Sequence, residues 1–152
     1  MKITGLITEY NPFHNGHQYH IEKAKKLTKA DKVVVVMSGN FVQRGAPALL
    51  PKHLRTKMAL KSGADLVIEL PVFYACASAE YFAYGAVSLL HALRCVDSIC
   101  FGSECGDLTL LQKAADIMAE EPDAYKHSLQ SYLRDGYRFP LARQKAFQDF
   151  TK

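Results

Sequence analysis

Apolar positions along the chain fall into two kinds of run, and the two alternate. Short unbroken runs come first in each pair. Ile3–Thr8 (ITGLIT) ends at the turn signal Asn11-Pro12, and Lys32–Met37 (KVVVVM) carries four valines before Ser38-Gly39-Asn40 breaks it. Asp65–Leu70 (DLVIEL) stops at Pro71, and Asp97–Phe101 (DSICF) stops at Gly102. Runs of this length closed by Gly or Pro predict strands, and the four valines mark the second as buried on both faces.

Between them lie longer segments with helical spacing. Gly16–Thr28 places Tyr19, Ala24 and Leu27 on one predicted face, with Lys25, Lys26 and Lys29 at a basic C-terminal end. Pro51–Ser62 has Pro in its first turn and Gly63 just beyond its end. Ser78–Leu93 is long and apolar, with Ser78 as predicted N-cap, and Asp107 caps a helix to Met118. Two further helices, about Ala124–Arg134 and Leu141–Phe150, follow with no strand between them. Strand and helix in alternation predict an α/β fold, a doubly wound parallel sheet with extra C-terminal helices. Ligands of such sheets bind beyond the carboxyl ends of the strands. The loops Glu9–Asn15, Ser38–Leu50, Pro71–Ala77 and Gly102–Gly106 are therefore where function is expected.

Composition narrows the class. The chain has 152 residues, 49% hydrophobic and 22% charged, ordinary for one globular domain. No run approaches the ~20 apolar residues of a membrane span, and the N-terminus lacks the charged-then-apolar layout of a signal peptide. A soluble cytoplasmic protein with no membrane partner is expected. Nineteen Lys and Arg against fifteen Asp and Glu give +4, which permits a polyanionic partner without demanding one. The four cysteines form no C-x-x-C pair and predict structural thiols, with Cys76 and Cys95 as small buried hydrophobes.

The loop after the first strand concentrates the chemistry. His14 and His17 stand three apart at the start of a helix, which puts both imidazoles on one side of its N-terminus. Backbone N–H groups there favour an anion, and Gly16 lets a phosphate approach without a Cβ in the way. Two imidazole donors beside such a terminus suit charge growing on a phosphate under attack. The same residues also read as surface or capping histidines. With His20 they read as a metal-binding H-x-x-H-x-x-H face, although no Glu-x-x-His or Cys partner is adjacent; no metal ligand is assigned. The P-loop pattern and G-x-G-x-x-G are both absent.

The HNGH sequence at 14–17 resembles the HxGH signature of nucleotidylyltransferases and class I aminoacyl-tRNA synthetases. The wider string GLITEYNPFHNGH (5–17), with MSGNFVQRG (37–45), GADLVIELP (63–71) and FGSE (101–104) in order, resembles the bacterial tRNA(Met) cytidine acetate ligase family. The likeness is close to about Glu104 and looser beyond. It implies a Rossmann-like HxGH nucleotidyltransferase fold, in which ATP activates acetate to acetyl-adenylate. The acetyl group then passes to N4 of the wobble cytidine of elongator tRNA(Met).

On matching positions the resemblance implies a nucleotide-binding stretch of Ile7, Thr8, Glu9, Tyr10, Asn11, Pro12, Phe13, His14, Asn15, Gly16, His17, Gln18, Tyr19 and His20. His14 and His17 would steady the α-phosphate as acetate attacks, and Gly102 would meet adenosine through backbone groups. Mg2+ is expected as the nucleotide's counter-ion. Arg44 and Lys52 suit pyrophosphate or tRNA phosphate, or a solvated surface. Asn40 and Gln43 suit the substrate or a turn, and Ser103 and Glu104 suit the substrate or a helix cap. Tyr74, Tyr81, Phe82 and Tyr84 suit base stacking or the core.

The family's chains are longer. A Ser-Pro-Asn segment and a later arginine segment that complete its ATP site have no counterpart here. One nucleotidyltransferase-like domain over 1–152, shortened at its C-terminus and helical from about 122, is therefore expected, with only part of the site. Two other readings remain open: a nucleotidylyltransferase acting on a small phosphorylated acceptor, and a non-catalytic nucleotide- or RNA-binding module.

Overall fold

The computed structural model describes residues 1–151. They form two compact units, Met1–Gly102 and Ser103 onward. The first holds a four-stranded parallel sheet built from β1 (Ile3–Thr8), β2 (Lys32–Ser38), β3 (Leu66–Leu70) and β4 (Ser98–Ile99), in the order β3-β2-β1-β4. The strands are connected by α1 (Asn15–Thr28), by α2 (Lys52–Lys61), and by the short α3 (Val72–Ala75) followed by α4 (Ala79–Ala92). The doubly wound parallel sheet is the one its alternating runs predict.

The side-chain alternation of β2 explains why both faces are covered. Val33, Val35 and Met37 pack on one face with Leu6, Ile21, Ala24 and Ala59, so α1 and α2 lie there. Val34 and Val36 pack on the other with Ile3, Leu70, Ala75, Phe82, Ala86 and Leu90, under α3 and α4. All four valines are at most 4% exposed, and a side chain of this class stabilises by roughly 1.5–3 kcal/mol when fully buried.

The amino ends of the strands are tied by three aspartates that precede β2, β3 and β4. Asp31 accepts the Lys2 N–H at 2.7 Å, Asp65 that of Val33 at 2.8 Å, and Asp97 that of Ile3 at 2.7 Å. Asp65 also pairs with Lys32 at 2.8 Å. Its carboxyl sits below the usual range: burial pushes it up, and the bonds from Lys32 and Val33 outweigh that.

Four expectations are corrected. β4 is two residues long rather than Asp97–Phe101, because it is an edge strand paired only through Thr4 and Gly5 of β1. The buried stripe of α1 is Ile21 and Ala24, while Tyr19 and Leu27 are exposed. At about 100° per residue, Tyr19 falls nearly opposite that stripe and Leu27 a quarter-turn off it. The segment Pro71–Ala77 contains the extra helical turn α3. Cys95 is exposed and Cys76 only half-buried; all four thiols are free.

The second unit consists of α5 (Leu108–Glu120), α6 (Asp123–Arg134) and α7 (Phe139–Phe150). Asp107 caps α5 by accepting from Thr109 and Leu110 N–H. The helices α6 and α7 pack together around Tyr125, Ala142 and Ala146, and Tyr132 donates its hydroxyl to Asp149 at 2.5 Å. No helix among the described residues is long and apolar enough to cross a membrane.

Candidate functional site

Strand order reverses between β1 and its neighbours β2 and β4, the place where doubly wound sheets open a crevice. The chain leaves β1 there through Tyr10, held at φ 49°, and a cis Asn11–Pro12 peptide. Tyr10 is a non-glycine in the left-handed region, a strain of order 1–3 kcal/mol that packing must offset. Its ring is 1% exposed and lies edge-on to Phe13 and to His17, each at 4.8 Å between centroids.

His14 is the N-cap of α1. Its Nδ1 accepts the Gly16 N–H at 3.1 Å, and Nδ1 of His17 accepts the His14 N–H at 3.3 Å. The two rings stack at 3.7 Å. This is a capping box written in histidines, with His17 where a Glu or Gln usually stands. It has a chemical consequence. With both Nδ1 atoms accepting, the proton of each neutral ring is placed on Nε2, an assignment that follows from the hydrogen bonds. Burial, and then the neighbouring His14 and His20, lower the His17 pKa, so that ring is neutral at pH 7.

The cap also changes which groups can meet an anion. The Gly16 N–H is taken by His14, and those of His17 and Gln18 by the His14 carbonyl. The donors left in the first turn are chiefly imidazole Nε2–H groups rather than backbone amides.

These rings line a cavity of about 410 Å³ together with Ile7, Thr8, Glu9, Tyr10, Asn11, Pro12 and His20. Thr8 Oγ1, Tyr10 OH and His20 Nε2 in its wall are buried without a hydrogen-bond partner among the described residues. Burial pushes the Tyr10 phenol up to about 12, against a smaller opposing pull from Thr8. The two hydroxyls are neighbours that stop short of hydrogen-bond geometry. Burial lowers the His20 pKa, and the Cys100 backbone opposes this.

Nine of the fourteen residues predicted between Ile7 and His20 thus line one cavity. The other five do not. Phe13 packs against the core, and Asn15 and Gly16 are exposed at the helix start. Gln18 bonds Glu22 at 2.9 Å, and Tyr19 is solvent-exposed. Gly102 is exposed at the end of the first unit, with open space where a Cβ would stand. Ser103 and Glu104 fall in the second unit, where Ser103 Oγ accepts the Gly106 N–H and Asp107, not either of them, caps the helix.

The loop after β2 has a different construction. Asn40 accepts the Lys52 N–H through its side chain and the Ala48 N–H through its carbonyl, so it closes the loop. The Gln43 N–H donates to Glu9 Oε1 at 2.7 Å, and the Leu49 N–H to Asn11 Oδ1 at 2.7 Å. Arg44 is exposed in a single 3-10 turn, Gln43–Gly45, at φ 66°. Lys52 pairs with Glu69 at 2.6 Å, and both line a second cavity of about 230 Å³ with Met37, Ser38, His53, Thr56 and Val67. Of the aromatic candidates, Phe82 is buried, Tyr74 half-buried against the core, and Tyr81 and Tyr84 exposed.

Sequence reasoning missed Arg55. It is fully buried, and its guanidinium donates to the carbonyls of Glu9, Ser38, Gly39 and Leu50. The available signal was its place four residues before Ala59, on the one buried stripe of a helix otherwise rich in lysine. Among the described residues no group of three or more His, Cys, Asp and Glu is arranged to hold a metal ion.

A model of the HIGH nucleotidyl transferase family matches residues 1–152. The chain is 57% identical over 150 residues to a tRNA(Met) cytidine acetate ligase of Clostridium perfringens, covering 99% of this chain and 37% of the relative. It is 58% identical over 151 residues to one of Acetivibrio thermocellus, covering 99% and 36%. A crystal structure of Thermotoga maritima TmcAL bound with alpha-thio ATP superposes with a TM-score of 0.93 at 48% identity, covering 99% of this chain and 36% of that one. The chain therefore spans little more than a third of the length of the curated relatives it matches.

Proposed function

The chain belongs to the HIGH nucleotidyl transferase family, and from that premise we propose that it carries the nucleotide-binding part of an ATP-dependent ligase that acetylates tRNA(Met). The observation that carries this reading is the cavity whose wall holds His14 and His17, each with its proton on Nε2. The buried, unpartnered Thr8, Tyr10 and His20 atoms support it, since a polar ligand meets the hydrogen-bonding demand that they leave. The solved relative that superposes on the chain is bound to an ATP analogue.

In this reading ATP seats its α-phosphate against the two Nε2–H donors. A carboxylate oxygen of acetate attacks phosphorus, the bond to pyrophosphate breaks, and acetyl-adenylate forms. The amine N4 of the wobble cytidine of elongator tRNA(Met) then takes the acetyl group, losing a proton and releasing AMP. The histidine donors are fixed before the reaction, which is the condition for strong stabilisation of developing phosphate charge. Mg2+ accompanies the nucleotide, held largely by its phosphates and water. Gly102 contributes main-chain contacts to adenosine, Gln43 serves the substrate, and Arg44 and Lys52 serve pyrophosphate or tRNA phosphate. Residues 1–152 form one functional domain in which part of the site is present. A cytoplasmic location follows from the tRNA substrate.

ATP–pyrophosphate exchange, measured with and without acetate on this chain and on a full-length relative, tests the reading. Acetate-dependent exchange in the full-length protein is expected. Exchange indifferent to acetate points to a nucleotidylyltransferase with another acceptor, and nucleotide binding with no exchange in either protein points to a binding module.

A further inference from the structure

Arg55 carries a charge that the site as described does not use. Its side chain is fully buried, yet among the described residues no carboxylate lies within ion-pair distance of it. Its partners are main-chain carbonyls drawn from three separate places. Nη1 bonds Glu9 O at 2.5 Å, just past the end of β1, and Ser38 O at 3.2 Å, the last residue of β2. Nη2 bonds Gly39 O, and Nε bonds Leu50 O at 3.0 Å, ahead of α2. A buried charge costs several kcal/mol unless its hydrogen bonds are met, and here the fork of donors is met by the exits of two strands at once.

That choice of partners is informative. A core strut can sit anywhere in the helix–sheet layer. Arg55 instead joins the exits of the two central strands on the side where the cavity opens. Glu9 belongs to both systems: its carbonyl takes Arg55, its carboxylate takes the Gln43 N–H, and the residue lines the cavity. Burial lowers the guanidinium pKa, with Glu9 and Glu69 opposing, but an arginine starts so high that it stays protonated.

We infer that Arg55 is a positioning residue for the phosphate end of the cavity: it sets the exits of β1 and β2 against one another, and its positive charge stands directly behind the main chain of Glu9. It touches no ligand. A lysine at this place keeps the charge and loses the fork; a methionine loses both.

Two measurements on the intact chain test this. The first is amide hydrogen exchange in Arg55→Lys. Residues 39–50 should exchange on the order of tenfold faster, while Val33–Met37 stay as protected as before; unchanged exchange in 39–50 overturns the inference. The second, which rests on the nucleotide reading above, compares affinity for ATP with that for adenosine, which has no phosphates. Arg55→Met should weaken ATP roughly 30-fold, the scale for losing one buried, hydrogen-bonded charge. Adenosine should be unaffected, and Arg55→Lys should recover part of the loss. Equal losses for ATP and adenosine, or wild-type ATP affinity in Arg55→Met, overturn it. If Arg55→Met does not fold, the same comparison is decided in Arg55→Lys. If the wild-type chain binds neither compound, the comparison is made with the same substitutions in a full-length relative; if that wild type also binds neither, the nucleotide reading fails, and the exchange experiment alone decides the place of Arg55.

Discussion

The loops that leave β1 and β2 stand side by side and are held by opposite means. The first is fixed by its own neighbours: the bonds between His14, Gly16 and His17 span two or three residues. The second closes on itself through Asn40 and Ala48, and is then anchored from a distance, by Gln43 to Glu9 over 34 residues, Leu49 to Asn11 over 38 and Arg55 to Glu9 over 46. Local bonds form as soon as the helix starts and need nothing else to be in place. Distant bonds form only when the sheet is assembled, so the second loop is anchored in its place only in the finished fold. One loop carries the proposed chemistry, and the other takes its geometry from it.

The sharpest way to test the contrast is at His17. His17→Ala should lower ATP–pyrophosphate exchange in a full-length relative by about 10²–10³-fold, the scale for one preorganised donor. His17→Asn, which can still accept the His14 N–H but has no group where Nε2 stood, should lose nearly as much; retained exchange in it breaks the assigned role. Next is Gly16→Ala. Its Cβ would come within 2.9 Å of His14 Cε1 and 3.0 Å of Nδ1, so the ring must turn out of the cap. A loss of about 1 kcal/mol in denaturant unfolding is expected, with amide exchange altered in the first loop and not the second.

Asn11→Ala should reverse that pattern. Losing the acceptor for Leu49 N–H should cost roughly 1 kcal/mol and loosen residues 46–50, leaving the histidine stack intact by imidazole chemical shifts. Acidification reaches His17, and with it His20 in the same cavity wall. Folded His17 titrates below its ordinary value, so the folded chain holds fewer protons than the unfolded one. The stability it contributes is full above about pH 6.5 and falls as pH descends through the lowered folded value. His17→Asn should flatten that part of a stability-versus-pH curve, and an unchanged slope would count against a neutral His17. The smallest effect on stability, read by denaturant unfolding, is expected at Lys52→Met. Its ion pair with Glu69 is partly exposed, and such pairs contribute at most about 1 kcal/mol.

The same contrast explains what could be read in advance. The four valines of β2, the strand-ending Gly and Pro residues and the H-x-x-H spacing are local signals, and the alternation of strand and helix and the histidine loop follow from them. Arg55 is opaque because its meaning lies in carbonyls 5 to 46 residues away; within its own helix it resembles the lysines around it. Asn40 is intermediate, since Ser-Gly-Asn reads as a turn while its bond to Lys52 does not. Tyr19 and Leu27 fall off the buried stripe of α1 because that stripe consists of Ile21 and Ala24, too narrow to stand out from the pattern.

The three aspartates at the amino ends of the strands have a consequence for how such a chain can change. Asp31, Asp65 and Asp97 lace β1 to β2, β2 to β3 and β4 to β1 at one end of the sheet, while the histidines, Glu9 and Arg55 work at the other. Strand order and ligand chemistry are thereby kept in separate hands. As long as the carbonyls of Glu9, Ser38, Gly39 and Leu50 still meet Arg55, the loops at the carboxyl end can change without unlacing the strands beneath them, so the sheet can be fitted to new chemistry at one rim.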